Sequence, residues 1–163
     1  MELTVGVNSY ISLEEAEQLV NDYITVKNIL NWVKDEIKQD KNYLPKIINI
    51  STKLIDKLDY KGVKVDKKQP LSFPRVIQDG KDKVIIECPE DIKIGIVLQA
   101  ITNDYFENTD EEQAKRQGIS NYSVDGASIT FNNSISIKGS ERIGDGIYKS
   151  IYKNYIREYT EYI

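Results

Sequence analysis

The side chains able to do chemistry are unevenly supplied in this chain. Its 163 residues include no histidine and one cysteine, Cys88. Without imidazole there is no Ser-His or Cys-His nucleophile pair, no histidine-containing zinc site and no ordinary base poised near neutral pH. Carboxylates, lysines and phenols remain. Glu14, Glu15 and Glu17, and again Asp110, Glu111 and Glu112, would hold a divalent cation only if carboxylates converged from separate elements. Their spacing matches no metal loop, so they read as acids complementing helix N-termini. Asp145 between Gly144 and Gly146 reads as a turn, since no phosphate-loop pattern surrounds it. Cys88 precedes Pro89 near a helix start, a place that can lower a thiol pKa. With no histidine to pair with, it reads as a small buried apolar residue. The chain is read as a non-enzyme, with no catalytic residue, cofactor or metal ligand.

Two patterns instead suggest contact surfaces. Tyr148, Tyr152, Tyr155, Tyr159 and Tyr162 crowd the C-terminal segment. Tyrosine gives large contact area with a polar tip, which suits an interface or the cover of the protein's own core. Lys149, Lys153 and Arg157 interleave with these rings, a base-stacking pattern that Glu158 and Glu161 dilute. The second pattern is Gly118 to Phe131, two alternating runs around Asp125-Gly126, a dipeptide that tolerates the positive φ of a tight turn. A lone hairpin is marginal in water, so Tyr122, Val124, Ile129 and Phe131 join the candidate interface. Lys61, Lys64, Lys67 and Lys68 around Gly62 read as a solvated loop or a weak DNA contact.

The elements that must position these residues are mostly helical. Ser12-Leu13-Glu14-Glu15 has the form of a capping box, with Ser12 as N-cap and Glu15 reaching back. Leu13, Ala16, Leu19, Val20 and Tyr23 follow at helical spacing, giving a first helix over about 13–22. Ile29, Trp32, Val33 and Ile37 mark a second over about 28–37. Pro45 suits the first turn of a third, which carries a wide apolar stripe and ends near Asp59. Residues 62–83 read as a long connection, and Val84 to Glu87 as a short strand. Pro89 opens a fourth helix through Tyr105, in which Gly95 implies close packing. Residues 108–117 read as a helical extension, 132–146 as loop with a short strand at Ile135 to Ile137, and Ile147 to Tyr162 as a last helix. The expected fold is mainly α: a small helical bundle with one β-hairpin at about 118–131 and a C-terminal helix. It divides into a helical unit with hairpin, 1–131, and an interaction arm, 132–163.

Bulk properties narrow the function classes. Hydrophobic residues make up 40% of the chain and charged residues 29%, as in a globular domain. The net charge of -4 argues against a general nucleic-acid binder, which needs clustered Lys and Arg. The N-terminus lacks a secretory pattern, and no apolar run approaches the ~20 residues that span a bilayer. A soluble, intracellular protein is expected.

The order of motifs resembles the head–tail connector proteins of long-tailed bacteriophages, including a group labelled DnaT-like single-strand-binding proteins. Asn8-Ser9-Tyr10-Ile11-Ser12-Leu13-Glu14-Glu15-Ala16 is similar to that family's opening. Asn31-Trp32, Leu58-Asp59-Tyr60-Lys61-Gly62, Gln69-Pro70-Leu71-Ser72-Phe73-Pro74-Arg75, Cys88-Pro89-Glu90-Asp91-Ile92-Lys93 and the hairpin follow in the family's order. Phe73 stands where many members carry tryptophan. The resemblance covers roughly residues 8–131. It implies a virion structural protein, a head-completion adaptor at the head–tail junction, assembled in the bacterial host cytoplasm. It also implies a homo-oligomeric ring, typically dodecameric, seated on the portal protein and meeting a tail-side connector or stopper. Double-stranded DNA would pass through the lumen without sequence readout. Single-stranded DNA binding is the alternative the label carries.

Overall fold

The computed structural model describes residues 2–107, 121–124, 127–130, 147 and 151–157. Three helices come first in the chain, α1 (Leu13–Tyr23), α2 (Lys27–Gln39) and α3 (Tyr43–Ile55), and a fourth, α4 (Glu90–Glu107), follows a small sheet. Three strands, β1 (Val63–Lys64), β2 (Arg75–Asp79) and β3 (Asp82–Ile86), lie between α3 and α4. A separate pair, β4 (Asn121–Val124) and β5 (Ala127–Thr130), forms the expected hairpin around Asp125-Gly126, with Tyr122 opposite Ile129. The mainly-α reading holds.

Local chemistry explains the helix ends. Ser12 Oγ accepts the Glu15 N–H at 3.1 Å, closing half of the expected capping box. The Glu15 side chain does not reach back; it pairs with Lys93 of α4 at 2.8 Å. The third helix stops at Ile55, short of Asp59, and a turn follows with the Leu58 N–H bonded to Ile55 O.

The core lies where α3 crosses α4, with α1 against both. Ile48, Ile55, Ile92, Ile96, Val97 and Ile101 are fully enclosed. At about 1.5–3 kcal/mol for each fully buried aliphatic side chain, these positions dominate the driving force. Trp32 joins α2 to the bundle through edge contacts with Tyr43 and Tyr105, at 5.9 and 5.3 Å between ring centres. Tyr43 also donates to Asp104 at 2.8 Å.

Residues 62–83 are not a plain connection. They contain β1, β2 and the start of β3, an antiparallel sheet in the order β1-β2-β3. Val63, Val76 and Ile85 stand directly opposite one another across it. Gly80 and Lys81 form the loop between β2 and β3, and Gly80 has the positive φ (+59°) that primed hairpin turns need.

The C-terminal segment differs from expectation in part: Ile147 is helical, and its carbonyl accepts the Ile151 N–H at 3.0 Å. Among its described residues, Tyr152–Asn154 is one 3-10 turn, and Ile156 then forms an antiparallel bridge with Tyr60. Tyr152 is wholly buried, and its ring lies over Gly95. A methyl group at position 95 would meet Tyr152 Cζ at 2.8 Å. The close packing expected at Gly95 is therefore with a tyrosine of the chain's end, not with a neighbouring helix.

Two glycines give a stability test. Gly62 has φ +78°, and a Cβ there would meet Ile77 Cγ2 at 2.7 Å and the Val76 carbonyl. Gly80 has positive φ but open space around it. Gly62→Ala is expected to cost about 2–4 kcal/mol and Gly80→Ala about 1 kcal/mol. Urea unfolding followed by circular dichroism measures both, and equal losses would remove the packing explanation.

Candidate functional site

Arg75 opens β2 with its side chain turned inward, 8% exposed. Its Nε donates to Lys61 O at 2.8 Å, and Nη2 to Tyr60 O at 3.0 Å and Gly62 O at 2.8 Å. Nη1 donates to Ser72 O at 3.3 Å. A guanidinium suits this task because it presents five donors in one rigid plane and stays charged. Burial pushes its pKa down, with the nearby Arg157 adding to that effect. Three successive carbonyls, 60 to 62, are thereby fixed in space.

The chain's end grips the same segment from outside. The Lys61 N–H donates to Tyr155 O and the Arg157 N–H to Asp59 O, both at 2.9 Å. Lys61 Nζ donates to Asn154 O at 2.9 Å, and Arg157 Nη2 to Gly62 O at 2.8 Å. Arg157 also lies 3.8 Å from Asp59.

A pinned backbone presents a basic stretch. Residues 57–68 hold five lysines (57, 61, 64, 67, 68) and two acids, Asp59 and Asp66, a net of +3 in a chain of net charge -4. Lys57, Lys61, Lys67 and Lys68 are exposed. Lys64 is half-buried, with Nζ donating to Gln69 O at 3.3 Å. Asp66 shapes the following turn by accepting the Lys68 N–H at 2.8 Å. Among the described residues, none of the five lysines makes an ion pair. The segment can therefore offer its charges to phosphate groups. Its one aromatic ring, Tyr60, is 1% exposed and is unavailable for stacking.

The motif segments meet one another. Tyr10 donates its phenol proton to Asp56, while Asp56 Oδ1 and Tyr10 Oη both receive the Ser72 N–H, at 2.7 and 2.9 Å. Phe73 packs edge-on against Tyr10 and Tyr60. Glu15 and Lys93 join the opening motif to the fourth helix, and this pairing raises the Lys93 pKa. Arg75 joins the Tyr60 to Gly62 motif to the Ser72 to Arg75 motif. These residues hold the fold, and the lysines they display between them face solvent.

The residues chosen from the sequence as interface candidates are scattered. Tyr152 is in the core, and Tyr155 is half-buried with its hydroxyl donating to Asp91 at 3.1 Å. Tyr122, Val124 and Ile129 lie in β4 and β5. Phe131, Tyr148, Tyr159 and Tyr162 lie outside the described residues, as do Lys149, residues 108–117, the expected strand at 135–137 and the Asp110 cluster. Lys153 and Arg157 are exposed beside the lysine segment. Sequence reasoning noticed four of the lysines but missed Arg75, whose signal was a lone arginine opening a β-branched run.

Cys88 borders a cleft of about 200 Å³ lined also by Val5, Tyr10, Phe73, Pro74 and Lys93. Burial outweighs the neighbouring Lys93 and pushes its thiol up to about 12. Among the described residues, no group of three His, Cys, Asp or Glu side chains is placed to hold a metal. None of the described helices is long and apolar enough to cross a membrane.

A family model described as "Putative DnaT-like ssDNA binding protein" matches residues 2–150. No curated protein and no solved structure matches the chain.

Two measurements follow from this geometry. Arg75→Gln leaves several carbonyls without donors and is expected to cost about 2–4 kcal/mol, read by urea unfolding; a loss under about 0.5 kcal/mol would show that water replaces the guanidinium. Cys88 is expected to resist iodoacetamide at pH 8 in the folded protein and to react once unfolded, as read by mass spectrometry. Rapid alkylation of the native chain would contradict the raised pKa.

Proposed function

The chain belongs to the DnaT-like ssDNA binding family, and we propose that it binds single-stranded DNA through the phosphates, using the lysine segment of residues 57–68 with Arg157 beside it. One observation carries this reading: a fixed stretch of net +3 whose five lysines make no ion pair among the described residues, in an acidic chain. Phosphate contacts release counterions, so a local cluster can bind despite an unfavourable overall charge. The contact is sequence-independent, because the segment's one ring is buried and lysine reads charge rather than base edges. No bond is made or broken.

A second reading has its own support. The outer row of the sheet, Val63 and Ile85, is 60% and 59% exposed, as in a subunit that assembles. On this reading the chain is a head–tail adaptor that forms a ring on the portal and lines a channel for double-stranded DNA. Reconstruction of the chain bound to portal would then reveal a ring, and a chain that ignores the portal would end this reading.

Fluorescence anisotropy on a single-stranded 30-mer in about 50 mM salt tests the first reading, since charge-driven affinity is strongest there. The triple variant Lys61→Glu, Lys67→Glu, Lys68→Glu is expected to bind about tenfold or more weakly and to flatten the salt dependence. Failure of the native chain to bind at that salt would overturn it.

A further inference from the structure

Among the described residues, strand β3 is the outer strand of its sheet, bonded to β2 on one side only. All of Asp82 to Ile85 is exposed. The two-residue loop at Gly80-Lys81 makes Asp79 and Asp82 a closely bonded pair, so Asp82, Val84 and Ile86 direct their backbone groups to β2. Lys83, Ile85 and the following Glu87 then direct theirs outward. An unpaired edge rich in β-branched residues invites another strand.

We propose that a second copy of this chain pairs with β3 in antiparallel fashion, about a two-fold axis at Ile85. The argument is complementarity in one register. With Ile85 opposite its own copy, Lys83 stands opposite the second copy's Glu87, and Val84 opposite its Ile86. Ions meet opposite ions twice, and apolar residues meet apolar residues throughout. Lys83, Ile85 and Glu87 are the residues with outward backbone groups, so the ladder bonds fall at 83–87, 85–85 and 87–83. A register one residue away, centred on Val84, sets Lys83 against Ile85 and Asp82 against Ile86, burying charge against hydrocarbon. A self-pairing interface must be complementary to itself, and the run Lys83-Val84-Ile85-Ile86-Glu87 is.

The consequence is a six-stranded sheet. Val63, Val76 and Ile85 already form one row across three strands. Pairing about Ile85 doubles that row on one face and covers the exposed Ile85 side chain.

Sedimentation equilibrium at about 10–100 µM tests this on the full chain. The native protein is expected to show a dimer. Lys83→Glu places like charges opposite each other twice and is expected to weaken dimerisation at least tenfold. The double variant Lys83→Glu, Glu87→Lys is expected to restore it, since exchanged partners recover the pairing. Ile85→Cys is expected to yield a disulfide-linked dimer under mild oxidation, with circular dichroism confirming that each variant folds. A native chain that is monomeric at 100 µM would overturn the proposal. So would an oligomer indifferent to Lys83→Glu, or a double variant that folds but stays monomeric.

Discussion

One buried cation organises the basic end of this molecule. The Arg75 guanidinium gathers carbonyls from Tyr60, Lys61, Gly62 and Ser72. Backbone carbonyls away from regular elements are costly to bury without donors. A single planar group meets four of them, so a chain segment with little secondary structure of its own takes one conformation. Gly62 belongs to the same constraint. Its positive φ and its contact with Val76 and Ile77 let the backbone come close enough for Arg75 to reach the 62 carbonyl. The charge under the segment and the lysines above it have one sign. The carbonyl dipoles and Asp59 offset part of the Arg75 charge.

The end of the chain closes this arrangement. Ile156 bridges Tyr60, and Arg157 adds a second donor to the Gly62 carbonyl. Tyr152 anchors the whole strap in the helical core over Gly95. A surface feature, the exposed lysines, thus depends on contacts between residues nearly a hundred positions apart in sequence.

Much of the helical frame was legible because its signals are local. Ser12 before an apolar repeat, Pro45 in a first turn and Pro89 before two acids each act within a few residues. The hairpin at Asp125-Gly126 was legible for the same reason. A related signal, the two-residue loop Gly80-Lys81, is flanked by β-branched residues at Val76, Ile77 and Val84 to Ile86, yet in the sequence it reads as connection. The prolines and lysines between 61 and 74 suggested loop, and β1 is only two residues long. Within the expected C-terminal helix, Ile147 is helical but residues 152–156 take a 3-10 turn and a bridge, for another reason. Spacing by four at Ile147, Ile151, Tyr155 and Tyr159 satisfies a helical pattern, yet the backbone at 155 and 157 bonds to residues 61 and 59. Long-range hydrogen bonds overrode a local preference, which no window of sequence contains. The tyrosines misled similarly: a ring with a polar tip suits an interface and a core equally, and Gly95 decided the matter for Tyr152.

The basic segment and the β3 edge lie at opposite sides of one small sheet, so neither obstructs the other. Lys64 lies on β1, two strands from β3. If two sheets join through β3, the β1 strands stand five strand spacings apart, roughly 24 Å at about 4.8 Å each. The Debye length at physiological salt is about 8 Å, so the two clusters of net +3 scarcely repel. Pairing would therefore cost little in charge repulsion and would bring two basic segments onto one rigid body. A strand of DNA reaching both would bind the second at high effective concentration. An acidic chain with one modest basic stretch gains more from such doubling than a uniformly basic chain would, because each stretch alone holds few phosphates.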